Sequence, residues 1–192
     1  MNKEQALEIL KENVKNENLR RHHYAAAAAM RALAEQLGGD PGTWEIVGLL
    51  QDADYEETND APERHALVIA EKLEGLENSK PPGFGTLEDV IRAIKAHNYE
   101  YTNVRPESRM EWSLVACDDL TGLIVAVALV HPEKLSGVTV ESVMKKFSSK
   151  SFAAGADRER IKMCEEKLGI PLEKFVGIVL EAMQGIAEQL GL

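Results

Sequence analysis

The sequence predicts an all-α protein folded as a single domain. Apolar residues recur at helical spacing along nearly the whole chain, and strand-like alternation is nearly absent. Capping and stop residues punctuate that pattern at helix-length intervals. One stretch, residues 111–130, is apolar almost all round, as a helix at the centre of a bundle must be.

From the N-terminus, Ala6, Ile9, Leu10 and Val14 make one face of a short first helix. Asn16 or Asn18 caps a second, which runs to about Leu37 and stops at Gly38-Gly39. Its run Ala25 to Ala29 suits close contact with another helix. Asp40-Pro41 opens a third, carrying Trp44, Val47 and Leu50 into Gln51-Asp52. Asp60 with Glu63 forms a capping box, with Pro62 in the first turn, for a helix through Leu73. Ser79 to Gly85, rich in Pro and Gly, reads as a loop, and Thr86 with Asp89 caps a helix that reaches His97. Pro132 ends the central helix. Val140 to Phe147, Asp157 to Leu168 and Pro171 to Leu190 complete the set.

With 192 residues, 44% apolar and 28% charged, the chain is large enough to bury a real core in one domain. Its 22 basic against 32 acidic residues, a formal charge of -10, disfavour binding to duplex nucleic acid, which requires a phosphate-neutralising surface. Cys117 and Cys164 lie far apart, so neither a disulfide framework nor a thiolate metal site is expected. The polar start Met1-Asn2-Lys3-Glu4-Gln5 is unlike a signal peptide. The longest apolar run, Leu123 to Val130, is short for a membrane span. A soluble cytoplasmic protein with no membrane partner is the expectation.

Several polar residues stand out against this background. Asp118 and Asp119 interrupt the apolar central helix. A buried ionised carboxylate costs several kcal/mol unless it is paired or bound to a metal. Adjacent helical positions point about 100° apart, so one aspartate at most faces any given site. Either partner, an arginine or lysine on a neighbouring helix or a cation, would satisfy it. His22, His65 and His97 sit on helices expected to pack around the central one, and Asp52 near the end of the third. Imidazole with carboxylate is a ligand set for zinc, manganese, iron or nickel; carboxylates alone suit magnesium.

The order His22, Asp52, His65, His97, Asp118 resembles the HD-domain superfamily of metal-dependent phosphohydrolases. The stretches that carry it are Asn18-Leu19-Arg20-Arg21-His22, Leu49-Leu50-Gln51-Asp52-Ala53-Asp54-Tyr55-Glu56, Ala93-Ile94-Lys95-Ala96-His97-Asn98 and Ala116-Cys117-Asp118-Asp119-Leu120-Thr121-Gly122-Leu123. The resemblance implies an HD-type helical bundle around a buried central helix. Its core would span residues 18–130, with a C-terminal helical extension over residues 138–192. It also implies one or two divalent metal ions (Mn, Fe, Zn, Ni or Mg). His22, Asp52 and Asp118 would hold the first, and Asp52 would bridge to a second on His65 and His97. Asp52 and Asp118 would be the catalytic carboxylates that orient the metal. His23 stands where relatives carry an apolar residue, and His131 has no counterpart.

The chain departs from the family at its name-giving doublet, which reads Gln51-Asp52. A neutral amide is a poor ligand for zinc, iron or manganese. Three outcomes follow: a weakened first site with activity kept, a tight metal on the two-histidine site alone, or a ligand-binding module without catalysis. An active enzyme would attack a small anionic phosphoester or nucleotide with metal-bound hydroxide. Arg20, Arg21, Lys146 and Lys150 are candidates to bind that substrate, with Lys145 and Arg158 nearby. Within the same superfamily a diiron oxygenase is an alternative, and a non-catalytic binding domain is another. Asp52, Asp54, Glu56, Thr58, Asp60 and Glu63 also match the ligand positions of an EF-hand calcium loop. The obligatory glycine, however, is Glu57, so an ordinary acidic loop is expected there.

Overall fold

The computed structural model describes residues 1–78 and 87–192, and those residues form helices and turns with no strand among them. Asn2 caps α1 (Lys3–Asn13) through a capping box with Gln5, and Ala6, Leu10 and Val14 are its buried residues. Asn16, not Asn18, caps α2 (Glu17–Leu37), which Gly38 ends in a left-handed conformation. Asp40 caps α3 (Pro41–Leu50), whose residues from Trp44 onward are all buried. Gly48 of α3 lies against the α2 backbone: a Cβ there would come within 2.7 Å of Ala26 and Ala27. With Arg31 paired to Glu45 at 3.2 Å at the other end, α2 and α3 form an antiparallel pair. The close approach sets His22, one turn before Ala26, opposite Gln51 and Asp52, one turn after Gly48.

A short α4 (Tyr55–Thr58) follows. The next helix departs from the expected capping box at Asp60. Residues 62–66 are turns, Ala66 takes a φ of 72°, and α5 begins at Leu67 (Leu67–Asn78). The Asp54 carboxylate explains the late start, because it accepts from Ala66 N at 3.2 Å and from Ile69 N at 3.0 Å. That carboxylate caps the helix from twelve residues upstream, a role no local pattern announces. The expected Ser79 to Gly85 loop and the Thr86 cap lie outside the described residues. Helix α6 (Glu88–His97) ends on His97, and a short α7 (Tyr99–Thr102) follows.

Ser108 and Glu111 form the capping box of α8 (Arg109–Val130), the central helix, which packs on α2, α3, α6, α9, α10 and α11. By length and composition α8 could cross a membrane, although no single apolar run in it is long; 61% of its most apolar stretch is buried within the protein, as in a core helix. After a 3₁₀ turn (Lys134–Gly137) come α9 (Val140–Phe147), α10 (Arg158–Leu168) and α11 (Leu172–Gln184). The expected last helix breaks at Gly185-Ile186, leaving α12 (Ala187–Leu190) as a separate turn. Helices α10 and α11 lie on α8, and α11 and α12 lie on α2, so the C-terminal third buttresses the two helices that carry His22 and Asp118.

Candidate metal centre

Three helices and two turns converge on one point. From α2 comes His22, from the turn Asp52, from the turn before α5 His65, from the end of α6 His97, and from α8 Asp118. Two sets of three donor groups form, and Asp52 belongs to both. In the first, His22 Nε2 lies 2.9 Å from Asp118 Oδ1 and 3.4 Å from Asp52 Oδ2. In the second, Asp52 Oδ1 lies 3.1 Å from His65 Nε2 and 3.2 Å from His97 Nε2, and the two imidazole nitrogens are 3.1 Å apart. Ligands of a cation with ~2.1 Å bonds are spaced about 3.0–3.4 Å from one another, so the second triangle has the dimensions of a coordination face. The donors are nitrogen and oxygen alone, which fits manganese, iron, zinc or nickel.

Each ring is aimed by a partner on its far nitrogen. His65 Nδ1 lies 2.9 Å from Asp54 Oδ1, and Asp54 is itself buried. His97 Nδ1 faces the Ile94 carbonyl at 2.5 Å, and His22 Nδ1 faces Thr121 Oγ1 at 3.3 Å. The Thr121 hydroxyl donates to Asp118 O at 2.8 Å, which leaves its oxygen to accept from the His22 ring. In every case the far nitrogen donates its proton away from the centre and Nε2 points in, the arrangement that orients ligating histidines. Asn98 reinforces the second set by donating to His65 O at 3.0 Å and Pro62 O at 3.2 Å, tying the end of α6 to the turn that carries His65.

The electrostatics favour positive charge where these groups meet. Burial opposes a charge on His22, but the Asp118 and Asp52 carboxylates outweigh it and hold the ring well above its usual value. Burial likewise opposes charge on His65, yet Asp52 and Asp54 push it up to about 10. For Asp52, burial is outweighed by hydrogen bonds from His22, His65 and His97, and the carboxyl falls well below the usual range. A field that stabilises imidazolium protons this strongly also favours a divalent cation in their place, with release of those protons.

Asp119 does not share the centre. It accepts from Asp157 N at 2.9 Å and pairs with Arg160 Nε at 3.3 Å, so the salt-bridge explanation holds for this aspartate and not for its neighbour. Burial, then the adjacent Asp118, raise its carboxyl to about 6. His23 is buried, makes no well-formed hydrogen bond, and is pulled down to about 4, chiefly by burial. His131 is half-buried beside Gly137, and its Nδ1 accepts from Glu133 N at 3.2 Å. Glu56 is spent on Lys15 N and Asn16 N, Asp54 on His65 and α5, and Asp60 is exposed, so the acidic residues of the calcium-loop pattern diverge. Asp54 is buried, and Tyr55 is exposed, edge-on to His65.

No known protein family, curated protein or solved structure matches this chain.

Two clefts open beside His22. One, about 430 Å³, is lined by Asn18, Arg21, Gly122, Val125, Leu129 and Leu190 to Leu192; the other, about 350 Å³, by Asp118, Asp119, Gly122, Ala153, Gly155 and Ala156. Of the basic candidates, Arg21 lies at the first cleft, its Nη1 3.4 Å from Asn18 Oδ1. Arg20 turns away to Lys15 O. Lys146 covers the Phe152 ring at 4.6 Å, and Lys145 and Lys150 are exposed; none of the three lines either cleft. The Arg158 guanidinium is consumed by the carbonyls of Phe147, Phe152, Ala153 and Ala156. Arg160, absent from the sequence reading, joins Asp119 of α8 to the His97 carbonyl at 2.6 Å. Thr121 was legible in principle, three residues after Asp118 and hence on the same helix face.

Proposed function

We propose that this chain is a metal-dependent phosphohydrolase of HD type, acting on a small phosphoester or nucleotide. The observation that supports the reading is the pair of donor sets sharing Asp52, open to clefts at His22. A divalent cation bound there supplies a water of lowered pKa and neutralises charge on the phosphoryl oxygens. The protein's own groups do the rest. His65 and His97, aimed by Asp54 and the Ile94 carbonyl, present Nε2 to the cation beside Asp52. His22, whose ring Thr121 aims, and Asp118 line the smaller cleft, with His22 Nε2 2.9 Å from Asp118 and 3.4 Å from Asp52. Arg21 at the cleft rim offers a guanidinium to the substrate phosphate, a local positive charge on an otherwise acidic molecule. Val125, Leu129 and Leu190 give that cleft an apolar wall.

The test is hydrolysis of a panel of phosphomonoesters and nucleotides by protein loaded with manganese or zinc. Release of phosphate from at least one, lost in Asp52→Ala and His65→Ala, is expected; metal-loaded protein inert across the panel would contradict it. Such inertness would favour the second reading, a ligand-binding protein without catalysis, for which Gln51 at a ligand position speaks.

A further inference from the structure

Resting on the metal-binding reading above, Gln51 decides how many cations the chain holds. The residue caps α3, its backbone N bonded to Val47 O at 3.0 Å, and it is 0% exposed. Its Nε2 donates to Asp118 Oδ1 at 2.9 Å and lies 3.3 Å from His22 Nε2, among the donor atoms of the first set. The opposite orientation of the amide would set Oε1 against the Asp118 carboxylate, acceptor facing acceptor. It would also place two N–H donors where Oε1 now sits, buried with no hydrogen-bond partner. One unpaired oxygen is the lesser fault, so the nitrogen faces inward.

An amide nitrogen has no lone pair to give a metal, and its hydrogens occupy the space between His22 and Asp118 that a cation needs. Among the described residues no amide hydrogen bond enters the space between Asp52, His65 and His97, whose three donor atoms lie 3.1–3.2 Å from one another. We infer that the Gln51 carboxamide closes the first position, and that the chain binds a single divalent cation on Asp52, His65 and His97.

Manganese titration with elemental analysis, together with electron paramagnetic resonance, tests this on the full chain. Wild type is expected to saturate at one ion per chain with the spectrum of an isolated ion. Gln51→His adds an imidazole ligand, and Gln51→Glu replaces the donor with an acceptor of the same shape. Both are expected to take a second ion, and the two ions bridged by Asp52 become magnetically coupled. In wild type, His22→Ala keeps its ion and His65→Ala loses it. Circular dichroism identifies variants that remain folded. Two ions in wild type, or a single ion lost in His22→Ala and kept in His65→Ala, overturns the inference. So does a folded Gln51→His and Gln51→Glu pair that stays at one ion, and in that case the metal-binding reading stands. Protein that binds no manganese in any form removes both.

Discussion

Asp54 aims His65 and at the same time caps α5, so its substitution has two readable consequences. Asp54→Asn keeps the shape and one acceptor oxygen but loses the charge. Metal affinity is expected to fall about 10–100-fold, as for other partners of ligating histidines, measured by competition with a chelating dye. Two of the histidines, His65 and His23, respond to pH with opposite signs. For His65 the folded-state value lies near 10 against an ordinary 6.5, so its stabilisation of cation-free protein is complete below 6.5 and disappears as pH climbs through 10. Melting temperature of chelator-treated protein should therefore decline across that window, while metal affinity rises as protons cease to compete. His23, lowered to about 4, contributes stability above 6.5 that is lost as pH falls toward 4. His23→Leu should make melting less sensitive to acid; an unchanged acid limb would place that loss elsewhere.

Among the elements, the α2–α3 pair and the end of α6 position the donors, and these were legible from caps and stops. Asn16, Asp40 and Gly38 are local signals that fix helix ends within a residue or two, whereas the Ser108–Glu111 box, which starts α8 two residues before the expected Glu111, was not among the caps read. The start of α5 was not legible, because its cap comes from Asp54 and the chain reaches it through Ala66 at positive φ. The break at Gly185 was hidden by apolar periodicity that continues past it. Gly48→Ala would drive a methyl into the Ala26 carbonyl and should cost about 1–3 kcal/mol by forcing the helices apart, read by urea denaturation. It should also weaken metal binding, since the same contact sets His22 against Asp52. Gly122 faces open space on α8 between the two clefts. Gly122→Leu should raise KM for a phosphoester with metal content unchanged; an unaltered KM would mean that substrate enters elsewhere.

In the whole molecule the C-terminal helices are the outer support of a centre built by the first 130 residues. Arg160 links α10 to α8 through Asp119 and to α6 through the His97 carbonyl, across sequence gaps that no periodicity or spacing rule reaches. Arg160→Ala should cost about 1.5–3 kcal/mol, the loss of a charged hydrogen bond. The all-helical architecture was readable because helical periodicity and caps are local. Of the five candidate donors, Asp118 stood out by itself as a carboxylate in an apolar helix, whereas His22, Asp52, His65 and His97 were readable only as members of an ordered set. Partners such as Asp54, Asn98 and Arg160 emerge only when the chain is folded.

Elemental analysis of protein purified without added metal bears most immediately on whether those five groups hold a cation. Wild type and His131→Ala should carry a transition metal at close to one equivalent, and His65→Ala close to none. Equal metal in all three proteins, or none in wild type, would contradict it.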